Sequence, residues 1–176
     1  MTDEFDLRRI ITGHDSDGRS VVTIDGPPGA VGGSLREIWN SAGHVVDSLD
    51  ATDSGADKIV LSPPENGSRF RWFIIHPEDN SMSPEEKEKL VAERFEEMGA
   101  AHERPDTTRH PGMHKTETID YIILLSGQVT LLLDEEERDM KPHDVVVQRG
   151  TNHAWINKGT EPALLCAILI DAEVRE

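Results

Sequence analysis

Short runs of β-prone and alternating hydrophobic and polar residues recur along the chain, which predicts strands. Short β-prone runs at 8–12 and 19–25 flank Gly13-His14-Asp15-Ser16-Asp17-Gly18, where Asp17-Gly18 supplies the left-handed residues of a tight hairpin turn. The glycine- and proline-rich stretch 26–34 reads as a loop leading to a weak strand at 35–39. After the turn Pro63-Pro64-Glu65-Asn66-Gly67, residues 69–76 place Arg69, Arg71, Phe73 and Ile75 on one face and Phe70, Trp72, Ile74 and His76 on the other. The period changes to that of a helix only once. Ser83 is the N-cap, Pro84 the first helical position and Glu86 completes a capping box, so a helix is expected over 84–98, with Leu90, Val91, Phe95 and Met98 as its packed stripe and Gly99 as its stop.

From residue 119 the strands come close together, at 121–125, 128–133, 145–148, 154–157 and 164–170, with turn chemistry between them. The acidic run at 134–137 reads as a solvated hairpin tip. This spacing implies an all-β sandwich or small barrel formed by residues 104–172, with residues 1–103 as an N-terminal β extension carrying one surface helix. The strands 8–12, 19–25 and 69–76 are too few to stand alone and are expected to extend the barrel sheets or cross to a second subunit, making a homodimer.

Charge narrows the partners. With 18 Lys and Arg against 34 Asp and Glu the formal charge is −16, which repels nucleic acid and anionic membranes. The start of the chain has no basic region, no segment approaches the length of a membrane span, and the single cysteine, Cys166, sits in an apolar run, so a cytoplasmic protein is expected.

Candidate chemistry gathers in residues 109–121. Alternation sends His114, Thr116, Thr118 and Asp120 to one face, into a barrel whose other strands are apolar, while Lys115, Ile119 and Tyr121 go to the other. On a second strand His153, Trp155 and Asn157 share a face. Two imidazoles and one carboxylate can converge, and buried polar groups require a partner, whether a metal, water or each other. His110, in the Pro111-Gly112 turn, could be a replacement ligand, an acid or base, or an exposed side chain.

These residues resemble the cupin superfamily. His114-x-Thr116-x3-Asp120-x6-Gly127 keeps the register of its first motif, Gly150-x2-His153-x3-Asn157 reproduces the end of its second, and Pro142-His143-Asp144 is similar to its common Pro-Gly-Asp turn. The resemblance implies a jelly-roll barrel and a metal site. At the matched positions the chain offers His114, Asp120 and His153 as ligands, with Thr116 where the family has its second histidine and Asp120 where it has glutamate. Two histidines and a carboxylate are the ligand set of mononuclear non-haem iron(II), with Zn2+, Mn2+ or Ni2+ also suited. The expected function is metal-dependent action on a small organic substrate of enolic, aromatic or keto-acid type. An iron oxygenase comes first, with His110 and Thr116 as candidate catalytic residues. A metal-assisted lyase or decarboxylase, or a non-catalytic ligand-binding cupin, is the alternative.

Overall fold

The computed structural model describes residues 4–175; residues 1–3, part of the start discussed above, and residue 176 lie outside it. The strands are β1 (Arg9–His14), β2 (Ser20–Gly26), β3 (Val31–Gly32), β4 (Leu35–Ser41) and β5 (Ser68–Ile75), then helix α1 (Pro84–Glu97). There follow β6 (Thr118–Ser126), β7 (Val129–Leu133), β8 (Glu137–Met140), β9 (Val145–Arg149), β10 (His153–Ile156) and β11 (Ala163–Asp171). All pairs are antiparallel, in a six-stranded sheet of order β3-β4-β5-β11-β6-β9 and a three-stranded sheet of order β10-β7-β8.

One core joins the two sheets: Phe73, Ile122, Leu124, Leu165 and Leu169 of the large sheet pack with Val129, Leu131 and Met140 of the small one. This is the all-β architecture expected from the spacing of the strands, in the jelly-roll form that the resemblance implies. The helix forms where its caps place it. Ser83 Oγ accepts from the Glu86 N–H, Glu86 Oε2 accepts from the Ser83 N–H, and Gly99 is left-handed at φ 70°. Among the described residues no helix is long and apolar enough to cross a membrane.

Three expectations change. Residues 137–140, left in the connection that follows the acidic tip with no strand expected, form β8: its first three side chains are exposed and charged, so it carries no hydrophobic alternation and only the backbone ladder to β7 defines it. The loop at 26–34 contains the short β3. The N-terminal strands part company, since β4 and β5 join the large sheet whereas β1 and β2 pair only with each other. Arg9 fastens that hairpin by donating to the Pro27 and Ile38 carbonyls, at 2.9 Å each, and to Asp53 Oδ1 at 2.6 Å. In its turn only Gly18 is left-handed; Asp15 Oδ1 caps the Asp17 and Arg19 N–H groups instead.

Candidate active site

Strand register fills the barrel's interior with polar groups. Across the inner face of the large sheet run two rows, Arg69–Leu169–Asp120–Gln148 and Arg71–Ala167–Ile122–Val146. Arg69, Arg71, Asp120 and Gln148 are all buried, and β4 adds the buried Glu37. Arg71 lies 2.9 Å from Glu37 and donates to the Val60 and Leu61 carbonyls at 2.8 and 3.2 Å. Burial raises the Glu37 carboxyl above its ordinary range against the pull of Arg71, and lowers Arg71 to about 10.

The histidines come from the opposite side. His114 and His153 form an isolated bridge, each N–H donating to the other's carbonyl at 2.9 Å, and their rings lie 4.3 Å apart between centroids. His114 Nδ1 is 2.9 Å from the Gly112 carbonyl and His153 Nδ1 is 2.9 Å from the Thr151 carbonyl. A carbonyl only accepts, so both Nδ1 atoms carry the proton and both Nε2 atoms keep a lone pair. Burial lowers both imidazoles below the usual histidine range, His153 to about 3 because His114 also stands beside it. Two neutral imidazoles with fixed tautomers are suited to a metal.

Asp120 faces the same space. Burial raises its carboxyl to about 6 despite a Thr118 hydrogen bond and the Arg71 charge, and Oδ1 has no hydrogen-bond partner. A cavity of about 560 Å³ opens onto Asp120, His114, His153 and Arg71, walled by Phe73 and Trp155 and roofed by the α1 stripe Leu90, Val91, Phe95 and Met98. The Phe95 ring packs 5.1 Å from that of His114.

Not every expected site residue takes its expected place. His114, Asp120 and His153 line one cavity, yet among the described residues no three His, Cys, Asp or Glu side chains gather as a ligand set, so only the histidine pair is assembled. Asp120 belongs to the sheet facing the pair, and strand separation rather than local spacing sets that gap. Thr116 does not line the cavity; its hydroxyl pairs at 2.6 Å with that of Thr118, which in turn supports Asp120. It therefore backs the carboxylate rather than a ligand position. His110 lines the cavity mouth with both nitrogens engaged, Nδ1 accepting from the Gly112 N–H at 3.0 Å and Nε2 at 2.8 Å from Glu78 Oε1, so it is neither a replacement ligand nor an exposed side chain.

Sequence reasoning missed Glu37, Arg71 and Glu103. Alternation grouped Arg69, Arg71 and Phe73 on one face of β5, but the other face is equally apolar, leaving the inward side undetermined. Glu103, in the turn Ala101–Glu103, bonds the Ser62 hydroxyl and is raised by burial. No periodic signal announces it.

The Cupin domain family (Cupin_2) matches residues 101–170. A phomopsin biosynthesis cluster protein of Diaporthe leptostromiformis is 55% identical over 162 residues, spanning 85% of this chain and 70% of that protein. A cupin-domain-containing oxidoreductase of Aspergillus ruber is 30% identical over 169 residues, spanning 93% and 71%. Among solved structures, a Cupin 2 conserved barrel domain protein of Salinispora arenicola aligns at 16% identity with a TM-score of 0.38, covering 60% of this chain and 64% of that one.

Proposed function

Because this chain belongs to the cupin superfamily, we propose that it is an oxidoreductase acting on a small enolic, aromatic or keto-acid compound inside the barrel, with a divalent metal, iron(II) foremost, at the His114–His153 pair. The observation that carries this reading is the tautomer of the pair: each Nδ1–H is held by a backbone carbonyl at 2.9 Å, leaving two Nε2 lone pairs on residues that line one cavity. The relatives named as biosynthesis-cluster and oxidoreductase proteins support an enzyme of small-molecule chemistry.

The two imidazoles would hold the ion, leaving further positions for the substrate. When bound, the ion would supply a Lewis acid and a redox partner for dioxygen. The chain's own residues do the rest. Phe73, Trp155 and Phe95 hold an apolar or aromatic body, and α1 excludes water from above. Asp120 Oδ1, without a hydrogen-bond partner and with a carboxyl raised to about 6, takes or returns a proton at the substrate's acidic O–H or C–H. The Arg71 charge favours the ionised form of that carboxyl and so limits the rise that burial imposes.

A lyase or isomerase is the second reading, favoured by the same carboxylate standing apart from the histidines. Metal analysis of protein purified without added metal, followed by oxygen uptake with enolic probes, separates the two. Iron with oxygen uptake supports the oxidoreductase, metal without oxygen uptake supports the lyase, and protein without divalent metal refutes the metal reading.

A further inference from the structure

Two half-buried side chains at the cavity mouth, His110 and Glu78, pair with each other, and the chemistry proposed above leaves them without a task. The direction of their hydrogen bonds is fixed. A backbone N–H only donates, so the Gly112 N–H, 3.0 Å from His110 Nδ1, requires a lone pair on that nitrogen. The ring proton then sits on Nε2, which donates to Glu78 Oε1 at 2.8 Å. His114 has the reverse arrangement, since its Nδ1 carries the proton and donates to the Gly112 carbonyl at 2.9 Å. Gly112 therefore joins the two rings, its N–H bound to one and its carbonyl to the other.

The join is held from several sides. A Cβ on Gly112 would stand 3.1 Å from His110 Nδ1 and 3.4 Å from its Cε1, so glycine is what lets the ring lie against its own turn. The peptide between Pro111 and Gly112 is gripped at both ends: the Pro111 carbonyl accepts from Arg104 at 2.7 Å while His110 takes the Gly112 N–H. Glu78 is tied down in turn. Its N–H donates to the Asn157 carbonyl at 3.1 Å, and Asn157 Nδ2 donates to the Ile75 carbonyl at 2.8 Å. Asn157 directly follows β10, the strand that begins with His153.

We infer that Glu78 and His110 are positioning residues for His114: together they hold Gly112 so that its carbonyl fixes the His114 tautomer and keeps the Nε2 lone pair free. A line of hydrogen bonds runs from Asn157 through Glu78, His110 and Gly112 to His114, so the end of the strand that carries one histidine sets the ring of the other. Partners of this kind orient a ligating imidazole and raise its basicity without touching the ion. His110 serves only as this neutral tautomer, because a proton on Nδ1 would displace the Gly112 N–H. The consequence for metal affinity rests on the proposed histidine pair, whereas the tautomer is a property of the metal-free protein.

Ring-nitrogen NMR of the chelator-treated full chain, followed by calorimetric titration with Zn2+, tests this. Wild-type His114 should show a protonated Nδ1 and a bare Nε2. His110→Phe removes both ring bonds at similar size, so His114 should become a mixture of tautomers and Zn2+ affinity should fall about tenfold to a hundredfold. His110→Asn puts an oxygen near the place of Nδ1 and should recover most of both losses, which repacking alone would not. Glu78→Ala should give a smaller loss in the same direction, and Glu78→Gln, which still accepts from Nε2–H, should repair it; this pair carries the test should His110→Phe fail to fold. His153, whose Nδ1 is held by the Thr151 carbonyl, is the internal control and should keep its tautomer throughout. An unchanged His114 tautomer in His110→Phe and Glu78→Ala, losses that Asn and Gln leave unrepaired, or an equal change at His153 would overturn the inference. A wild type with the expected tautomer that takes up no Zn2+ would support the positioning and refute the metal reading.

Discussion

Replacing Arg71 by methionine tests whether the polar barrel floor is one coupled unit. Arg71 and Glu37 are 2% and 0% exposed and 2.9 Å apart. Neither Glu37 oxygen has a hydrogen-bond donor among the described residues, so the arginine charge is what makes this buried carboxylate tolerable. Removing it strands the carboxylate at a cost of about 3–5 kcal/mol. Losing the bonds to the Val60 and Leu61 carbonyls adds about 1 kcal/mol each. The sum is a large share of the roughly 5–15 kcal/mol of a typical domain. The double variant Arg71→Met, Glu37→Leu removes the stranded charge and should recover most of the loss, leaving only the carbonyl bonds unmade. Urea unfolding at pH 7 measures all of these, with Glu37→Leu completing the cycle. At pH 5 the Arg71→Met deficit should shrink, because the stranded Glu37 accepts a proton. A single variant within about 1 kcal/mol of wild type, or a cycle with coupling near zero, would refute the reasoning.

Other outcomes follow from the site. His153→Ala should keep the fold and lose divalent metal, measured by metal analysis with circular dichroism; full occupancy in the variant would contradict the histidine pair as the holder. In chelator-treated protein, stability should fall as pH drops from 7 to 5. The unfolded chain takes up a proton near 6.5 that folded His153 refuses until about 3, worth about 2 kcal/mol at pH 5. Asp120, protonated more readily when folded, opposes this by about 1 kcal/mol. A urea midpoint that rises on acidification would contradict that sign. Thr116→Val should leave metal content unchanged while raising the Asp120 titration followed by NMR, since the hydroxyl backs Thr118 and Asp120. His143, left-handed at φ 78° where a Pro-Gly-Asp turn has glycine, should tolerate glycine, whereas His143→Val should lower stability by about 1–2 kcal/mol in thermal melts.

Periodicity and turn chemistry are local, and they determined much of this protein. The strands at β5, β6, β9, β10 and β11 and the caps of α1 follow from side-chain alternation and a serine, proline and glycine at fixed offsets, since period and caps depend only on neighbours along the chain. The inward parity of His114 and Asp120 was legible for the same reason, as was the place of His153 on a separate strand. β8 was not, because its exposed charged side chains leave only a backbone ladder that exists once β7 is beside it. Which face of β5 turns inward was undecided by two apolar faces, and the packing of β4 and β11 around it settled that Arg71 lies within and Trp72 without. The gap between Asp120 and the histidine pair, the hydroxyl relay from Thr116, and the engagement of both His110 nitrogens are distances between elements far apart in sequence. Only the stacking of the two sheets sets them, because no local rule encodes how far one sheet lies from the next.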